Sequence, residues 1–322
     1  MRNVTMFLAA LACVAVIAGA GSAAVAADKA AFEFKDVEGK HLDLLLGGKP
    51  LTRYMYEVDT SDKAKTFDTA KVFTHVFNEE GTETITKGSG GKYPHHRGIF
   101  LGFSKLSYDG NKRSDWWHVR NVAQRHQKFL KLDAGAEAAT STMLIHWNDG
   151  QGKPVVIEER TQIVYKQPKP GLLMMDFISK LKPARSDIEL NGDPEHAGMQ
   201  YRPSQKVAEN KSAKYLFPDE SITTKNVGKE RDMAWAAESY EINGKKYTVQ
   251  HMNHPDNPKG TRYSAYRDYG RFGAFTTAKV KQGESLTLRY RLWVASGELL
   301  DRAAMKARSD TYNKAPKPDA GK

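Results

Sequence analysis

Short apolar and aromatic runs recur along the chain from Phe32 almost to Ala295, and clusters of Gly, Asn, Asp and Pro separate them. Runs of this length with turn residues between them are typical of the strands of an all-β sandwich or barrel. The pattern predicts strands at residues 42–46, 53–58, 99–104, 142–147, 155–165, 172–181, 247–251 and 285–294. We find no linker and no internal repeat, so we expect one large antiparallel β-sandwich domain over residues 28–311.

Turn chemistry and alternation refine this prediction. Hairpin signals occur at Glu79-Glu80-Gly81, Asn148-Asp149-Gly150 and Asn243-Gly244. Apolar and polar residues alternate over residues 285–292, which predicts a strand with one face on the core and one in solvent. Residues 298–309 have a helix-forming composition and predict a short C-terminal helix. The Lys- and Pro-rich residues 312–322 predict a disordered tail.

The first 27 residues have the pattern of a secretory signal peptide. Met1-Arg2-Asn3 precedes an apolar run at residues 4–20, and small residues follow up to Ala26 and Ala27, near which we expect cleavage. A retained membrane anchor is the alternative, because the run is nearly long enough to span a bilayer. The Ala-x-Ala ending favours cleavage, and we therefore predict a periplasmic or secreted protein.

Composition excludes several classes of site and partner. Cys13 is the only cysteine and lies in the predicted signal peptide, so the mature protein would have no disulfide, thiolate metal site or cysteine nucleophile. No later apolar segment is long enough to cross a membrane. The formal net charge is +11, and removal of the signal peptide takes away only Arg2 and leaves +10. Because Lys and Arg are scattered without a dense basic run, we predict no nucleic-acid partner.

Most of the histidines lie in short polar motifs beside aromatic, Arg and Gly residues. These motifs are Tyr93-Pro94-His95-His96-Arg97-Gly98, Trp116-Trp117-His118, Glu195-His196-Ala197-Gly198 and His251-Met252-Asn253-His254-Pro255. Histidine readily binds metals and moves protons near neutral pH, so four such motifs on strand ends or loops indicate one composite polar site. Neighbouring side chains of a strand point to opposite faces, so only one of His95 and His96 is expected to face a ligand.

Two further features suggest ligand chemistry. Residues 266–273 read Tyr-Arg-Asp-Tyr-Gly-Arg-Phe-Gly, a mixture that suits carbohydrate because rings stack on sugar faces while Arg and Asp bind hydroxyls. His251 and His254 lie three residues apart in a proline-rich loop, although they match no zinc signature. If a divalent metal is bound, the ligand candidates are His96, His118, His251 and His254.

Taken in their order along the chain, these residues resemble the family labelled PmoA or DUF6807, which is large in bacterial groups rich in polysaccharide-degrading enzymes. The matching features are His75 within residues 71–81, His95-His96-Arg97-Gly98, Gly152 and Glu159-Arg160 within residues 147–160, residues 192–202, and the His-Pro and Arg-Asp-Tyr-Gly-x-Phe-Gly regions within residues 251–275. Relatives have a Lys-Glu-Gly pattern where this chain has Glu195-His196-Ala197-Gly198, and this departure weakens any role for His196.

The resemblance implies a large β-sandwich of the galactose-mutarotase-like kind, in which sugars bind on a concave sheet lined by His, Arg, Glu and aromatic residues. Family members often appear near sugar oxidoreductases, which implies a modified sugar or glycoside as ligand. The PmoA label, taken literally, would mean a methane monooxygenase subunit with several membrane-spanning helices. The mature chain has no such segment, so we give this label no mechanistic content.

We therefore expect an exported carbohydrate-active enzyme, with cleavage of a keto-glycoside, glycoside hydrolysis and epimerase-like chemistry as candidate reactions. A histidine would act as general acid or base, Arg267 would bind developing negative charge, and Tyr269 would position or protonate the substrate. The candidate catalytic residues are His95, His96, His251, His254, Arg267 and Tyr269, and the candidate substrate-binding residues are Arg97, Trp117, Glu195, Arg202 and Asp268.

Three alternatives remain open at this point. The chain can be a carbohydrate-binding protein without turnover, which would use the same aromatic and arginine residues for recognition alone. The histidines can be structural, in which case their mutation would cause large losses of stability. A paired-carboxylate glycosidase mechanism is also compatible with the sequence, through Glu159, Glu195 and Asp268.

Overall fold

The computed structural model of the chain describes residues 31–297 and 301–315, together with Met1. Twenty strands lie in these ranges: β1 Phe32–Val37, β2 His41–Leu46, β3 Lys49–Met55, β4 Phe73–Val76, β5 Ile99–Phe103, β6 Lys105–Tyr108, β7 Lys112–Ser114, β8 Ala123–Ala134, β9 Ala138–Asn148, β10 Pro154–Tyr165, β11 Gly171–Pro183, β12 Ile188–Asn191, β13 Ala197–Tyr201, β14 Lys214–Leu216, β15 Trp235–Ile242, β16 Lys245–Asn253, β17 Arg262–Ser264, β18 Phe272–Phe275, β19 Ala278–Val280 and β20 Leu286–Ser296. The helices are α1 Lys63–Asp68, α2 Gln205–Asn210 and α3 Arg302–Lys314, with a 3-10 turn at Val227–Lys229.

The strands form three antiparallel sheets. The first has the order β1-β2-β3-β4-β5-β13-β18-β17, the second β14-β15-β16-β20-β11-β10-β9-β8, and the third, smaller sheet β19-β12-β6-β7. Side chains of both large sheets share one core, and polar contacts also join them: Gln162 of β10 donates to Thr74 of β4, and the hydroxyls of Tyr201 and Tyr240 lie 2.6 Å apart. The predicted all-β antiparallel sandwich is thereby confirmed.

Each predicted strand overlaps an observed one, and the largest difference concerns β3. The sequence pattern predicts residues 53–58, whereas β3 runs from Lys49 to Met55. A two-glycine turn explains the earlier start, because Gly47 and Gly48 both have positive φ and close the β2–β3 hairpin. The predicted hairpin at Asn243-Gly244 also has positive φ at both residues and joins β15 to β16.

A buried ion pair lies between the large sheets. The Arg160 guanidinium donates to the Glu158 carboxylate at 2.8 and 2.9 Å, and both side chains are completely buried. Trp147 and Ser179 donate to the same carboxylate, so each of its oxygens has partners. Glu159 is next to Arg160 in the sequence, but it points to the opposite face of β10 and pairs with Lys182.

The outer face of the second sheet is partly covered by α3. Trp293 of β20 packs with Met305 and Tyr312 of the helix, and the Arg308 guanidinium lies 3.6 Å from the centre of the Trp293 ring. The polar face of β20, predicted to be in solvent, is therefore partly buried, and Arg291 on it pairs with Asp176. Tyr312, predicted to begin a disordered tail, is instead a buried residue of α3.

The remaining terminal predictions lie outside the described residues. These are the signal peptide except for Met1, residues 298–300 of the predicted helix, and residues 316–322 of the predicted tail. None of the helices in the described ranges has the length and apolar character required to cross a bilayer.

Candidate functional site

A small apolar cluster on the outer face of the first sheet forms the floor of the candidate site. Neighbouring residues of β5 alternate between faces: Leu101 belongs to the core between the sheets, whereas Phe100 packs with Phe73 and Trp117 in a separate cluster. Trp117 does not belong to the sheet. It lies in a loop that rests on β5 at Gly102, where a Cβ would come within 2.9 Å of the Trp116 carbonyl oxygen. A glycine is therefore required for this close approach.

Lys71 joins the two loops that carry the histidines of the site. Its ammonium group donates to the carbonyl oxygens of Trp117 at 2.6 Å and His95 at 3.2 Å, and it lies 4.3 Å from the centre of the Phe100 ring. Burial, followed by repulsion from Arg97, holds the pKa of Lys71 well below its ordinary value. This buried lysine fixes the spacing of loops 93–98 and 115–118.

Four histidines meet above this floor, and we call His95, His96, His118 and His196 the histidine cluster. The ring centres of His95 lie 4.3 Å from His96 and 4.4 Å from His118, and the His118 and His196 rings lie 5.0 Å apart. His96 is buried, whereas the other three rings are partly accessible. The cluster therefore has an open side formed by His95, His118 and His196.

Two of these histidines form hydrogen-bonded pairs with aspartates. His118 Nδ1 lies 2.8 Å from Asp115 Oδ2, and His196 Nδ1 lies 2.9 Å from Asp193 Oδ1. The same aspartates accept backbone amides of their own loops, which fixes the carboxylates. An aspartate on Nδ1 selects the tautomer in which Nδ1 carries the proton and Nε2 has a free lone pair. Both pairs thus present Nε2 as a base.

The charge state of the cluster follows from burial. For Asp115, burial alone would raise the pKa, but the hydrogen bonds from the His118 side chain and amide outweigh it and keep the pKa below its ordinary value. Burial, with His118 and Lys71 nearby, lowers the pKa of His95 to about 2. Burial and the charge of Arg271 hold the pKa of His96 well below its ordinary value. His95 and His96 are therefore neutral imidazoles at physiological pH.

Strained backbone conformations flank the histidine cluster. Tyr93, Val119 and Asn121 all have φ between 51° and 55°, in the left-handed region. This region costs energy for any residue other than glycine and is unusual for a β-branched residue such as Val119. Strain of this kind persists where the surrounding structure imposes it, and it is frequent at active and ligand-binding sites.

Charged groups border the cluster on the side of β13 and β18. Arg271, completely buried, donates to Gln200 at 3.0 Å and lies 3.8 Å from the carboxylate of Glu195. Glu195 also accepts from Tyr266 at 2.7 Å and forms a forked pair with Arg267. Burial alone would raise the pKa of Glu195, but the hydrogen bonds from Tyr266 and Arg267 outweigh it and lower the pKa. Arg267 is therefore already neutralised by a carboxylate.

Arg202 and Tyr269 lie behind His96. The Arg202 guanidinium stands 5.2 Å from the centre of the Tyr269 ring, which lies 6.0 Å from His96 and 4.8 Å from Tyr93. Arg202 donates through Nη1 to the carbonyl oxygens of Pro203 and Tyr269, and burial lowers its pKa to about 10. The ring of Tyr269 is thus held between a cation and two other rings.

Several buried polar atoms around this site have no hydrogen-bond partner among the described residues. They are both ring nitrogens of His96, Nε1 of Trp117, Nε of Arg271, Nε and Nη2 of Arg202, and both carboxyl oxygens of Glu238. Buried polar groups in folded proteins are nearly always hydrogen-bonded, so a concentration of exceptions in one region calls for a functional explanation.

The predicted site residues are therefore brought together in part. His95, His96, Trp117, His118 and Tyr269 share one site, with Glu195, Arg202 and Arg267 at its border. Arg97 is buried and donates to the carbonyl oxygens of Phe67 and Asp68, so it holds α1 and faces no ligand. Asp268 is exposed.

His251 and His254 do not join the histidine cluster. His251 lies in the core between the sheets, where its ring contacts Tyr263 and Tyr290 and its Nδ1 lies 3.1 Å from the Tyr263 hydroxyl. His254 lies at the end of β16, with its ring 5.4 Å from that of Tyr312 in α3. His251 lies within β16, whereas His254 follows the end of that strand. The two rings therefore occupy different environments, although the residues are only three apart in sequence.

The proposed metal ligands are separated for the same reason. His96 and His118 belong to the histidine cluster, whereas His251 and His254 lie elsewhere. Within residues 31–297 and 301–315, no group of three or more His, Cys, Asp or Glu residues is placed to hold a metal ion. Of the carboxylates in the paired-carboxylate alternative, Glu159 lies on β10 of the second sheet and pairs with Lys182, whereas Glu195 pairs with Arg267 at the border of the site.

Sequence reasoning missed Asp115, Asp193, Lys71 and Arg271. Two of them carry a signal that can be read from the sequence: an aspartate stands three residues before a histidine in both Asp115-Trp116-Trp117-His118 and Asp193-Pro194-Glu195-His196. This spacing lets a turn bring the carboxylate to Nδ1. Arg271 lies in the motif at residues 266–273, although it was not named as a site residue, and Lys71 has no comparable signal because its partners are distant in sequence.

The chain is similar in part to solved structures of larger proteins. A heparan sulfate lyase mutant from Pedobacter heparinus shares 9% identity over 84% of this chain and 37% of its own, with a TM-score of 0.42. A heparinase III shares 7% over 83% and 36%, with a TM-score of 0.36, and a polysaccharide lyase shares 10% over 84% and 33%, with a TM-score of 0.30. The chain thus spans about a third of the length of these proteins.

A search among curated proteins finds no match. The model of a family of unknown function, DUF6807, matches residues 41–310, so most of the chain agrees with the resemblance seen in its motifs. This protein belongs to the DUF6807 family.

Proposed function

We propose that the protein is a carbohydrate-active enzyme that removes a proton from a modified sugar or glycoside, with an aspartate–histidine pair as the base. One observation carries this proposal: Asp115 pairs with His118, Asp193 pairs with His196, and the centres of the two imidazole rings lie 5.0 Å apart. Each pair presents a lone pair on Nε2 at the open side of the histidine cluster. Two such groups can serve as base and acid in one reaction.

Cleavage of a keto-glycoside uses both groups. One imidazole takes the proton from the carbon next to the ketone, and the electrons of the C–H bond form a C=C bond as the bond to the aglycone oxygen breaks. The other imidazole, protonated at the start, gives its proton to the departing oxygen. The sugar product is an unsaturated ketone, and the acid and base are exchanged at the end of the turnover.

The buried guanidinium of Arg271 beneath the cluster supports the anionic stage of this reaction. Arg271 lies 5.7 Å from the centre of the Trp117 ring, and the Trp117 ring lies 6.0 Å from that of His196. Fixed positive charge in a water-excluded region stabilises developing negative charge more strongly than it would in water. We assign this role to Arg271 in place of Arg267, because Glu195 already pairs closely with Arg267.

A protein that binds carbohydrate without turnover is the second candidate. It is favoured by the partly exposed ring of Tyr93, which lies beside the cluster and is tilted against the buried Tyr269 ring at 4.8 Å. Aromatic surfaces of this kind serve recognition whether or not a reaction follows. For either function we propose export, on the basis of the signal-peptide pattern in residues 1–27.

The test compares Asp115→Asn and Asp193→Asn with the wild-type protein on 3-keto-glycosides with a chromogenic aglycone. An asparagine keeps the shape of the site but no longer holds the imidazole in the basic tautomer, so we expect kcat to fall by about 10²–10⁴-fold with KM little changed. Lys279→Gln, an exposed substitution in the third sheet, is the control.

Three results are informative. A fall in kcat in the aspartate variants supports the proposal that the protein is an enzyme. Sugar binding without turnover in the wild-type protein supports the carbohydrate-binding protein instead. Turnover that is unchanged in both aspartate variants would show that the pairs are not the base and would overturn the proposed mechanism.

A further inference from the structure

A cleft of about 870 Å³ opens beside the histidine cluster. Three segments form its walls: α1 with Lys63 and Phe67, the loop that runs from His118 to Ala123, and the β9–β10 turn that begins at Asn148. The volume lies in the range of sites that bind small molecules or a few sugar units.

His118 connects this cleft to the proposed reaction site. The residue lines the cleft and also contacts His95 and His196 in the histidine cluster. The strained residues Val119 and Asn121 lie in the same wall, immediately after His118. One part of a ligand can therefore contact His118 at the histidine cluster while the adjoining part fills the cleft.

The lining of the cleft is positively charged. Its cations are Lys63, Arg120 and Arg125, none of which forms an ion pair within 4 Å among the described residues, although Arg120 is near enough to Asp115 to help lower the pKa of that carboxyl. Its one carboxylate, Asp149, pairs with Arg185 at 2.7 Å and accepts two backbone amides of its own turn. The charge available to a ligand in the cleft is thus positive.

Polar atoms suited to sugar hydroxyls lie among these cations. Asn121 is exposed at the wall, and the buried Oδ1 of Asn148 has no partner among the described residues. The partly buried ring of Phe67 gives the α1 wall an apolar surface. Amide groups, an aromatic face and unpaired cations together suit an oligosaccharide that carries anionic groups.

We propose that this cleft binds the neighbouring units of an acidic oligosaccharide while the reacting sugar lies at the histidine cluster. This inference rests on the proposed function, because it takes the histidine cluster as the place of reaction. The shared chemistry of the ligand is an anionic group on each unit, either a carboxylate or a sulfate. Lys63 and Arg120, which are exposed, meet these groups first, and Arg125 lies further inside.

The test measures binding of the full chain to four probes by calorimetry. The probes are the hexamer and monomer of 1,4-linked galacturonic acid, the 1,4-linked glucose hexamer, and that glucose hexamer after sulfation. We expect an acidic hexamer to bind at least about tenfold more tightly than the neutral hexamer and the acidic monomer, and its affinity to fall with added salt.

The variants separate the cleft from general surface charge. The double variant Lys63→Gln, Arg120→Gln should weaken binding of the acidic hexamer about tenfold and leave binding of the acidic monomer unchanged. Both residues are exposed, so the fold should tolerate the change, whereas Arg125 donates to the Thr69 carbonyl oxygen at 2.6 Å and is left intact. The matched control is Lys131→Gln with Lys279→Gln, which removes two exposed charges elsewhere and should have no effect.

The outcomes divide as follows. The inference is supported if the protein prefers the uronate hexamer or the sulfated hexamer to the neutral one and loses this preference in the Lys63→Gln, Arg120→Gln variant. The preferred hexamer then identifies the anion. Equal binding of acidic and neutral hexamers, or an equal loss in the control variant, overturns it. Failure of this kind leaves the proposed function standing if the aspartate variants still lose turnover, whereas unchanged turnover in both Asp115→Asn and Asp193→Asn refutes the proposed function whatever the hexamers do.

Discussion

Replacing His251 by alanine separates a structural histidine from a catalytic one. The sequence motif made His251 a catalytic and metal-binding candidate, but its side chain is completely buried in the core and its ring contacts Tyr263, Phe272 and Tyr290. We expect His251→Ala to destabilise the fold and to leave the chemistry of the histidine cluster intact.

The magnitude follows from the packing. Removal of a ring from a fully buried site leaves a cavity, and substitutions of this kind cost about 3 kcal/mol of unfolding free energy. The Tyr263 hydroxyl keeps a partner, because it also donates to the His251 carbonyl oxygen at 3.0 Å, so no large polar penalty is added. For a domain of this size, the expected loss lowers the Tm by about 5–10 °C.

The assay combines urea unfolding with turnover measured well below the Tm. His118→Ala is the matched control, since it also removes an imidazole but from a partly exposed position, and it should cost about 1 kcal/mol while abolishing turnover. The reasoning is refuted if His251→Ala keeps the wild-type stability, or if it stays folded and loses activity to the same extent as His118→Ala.

Two further predictions concern stability. Burial lowers the pKa of His251 to about 3 and that of His75 to about 4, below their ordinary value in the unfolded chain, so the unfolded state binds more protons between about pH 6.5 and 4. The free energy of unfolding should therefore fall as the pH is lowered through this window, by about 1.4 kcal/mol per pH unit for each histidine. Urea titrations at pH 7, 6 and 5 should show that His251→Ala removes one such contribution. An unchanged dependence of the unfolding free energy on pH in the variant would contradict this assignment. Gly270→Ala should cost more than about 2 kcal/mol, because φ is +81° and the new Cβ would clash with Glu238 Oε1 and lie 2.5 Å from Pro203 Cγ. Gly260→Ala has a similar φ of +83° in open space and should cost only about 1 kcal/mol, so equal losses in the two variants would show that the contacts with Glu238 and Pro203 do not matter.

Local patterns were sufficient to predict most of the strands. Residues 155–165 and 172–181 are recognisable because β-branched and aromatic runs between turn residues reflect the sheet directly. The turn at Asn243-Gly244 could also be predicted, since few other residue pairs adopt two positive φ values without strain. The order of strands within each sheet could not be predicted, because neighbours such as β5 and β13 are almost a hundred residues apart along the chain.

The sequence predicted which residue types form the candidate site, but only some of the individual residues that the fold brings together there. The Tyr93 to Gly98 and Trp116 to His118 motifs do meet, because the first leads into β5, whereas the second follows β7 of the third sheet in a loop that rests on β5 at Gly102. The motif at residues 251–255 resembles them in composition but belongs to the second sheet. Its first histidine points into the core, and the direction of a side chain depends on which face of a strand is covered.

The sequence alone determined the all-β class, the β-sandwich and the presence of histidine-rich polar motifs, since these depend on local periodicity, turn residues and composition. Only the tertiary structure decided which imidazoles meet, that Asp115 and Asp193 hold two of them, and that α3 covers the face of β20 expected in solvent. The physical reason is that hydrogen bonds, burial and the resulting pKa values depend on groups that the fold brings together from distant segments, and no local pattern along the chain records those contacts.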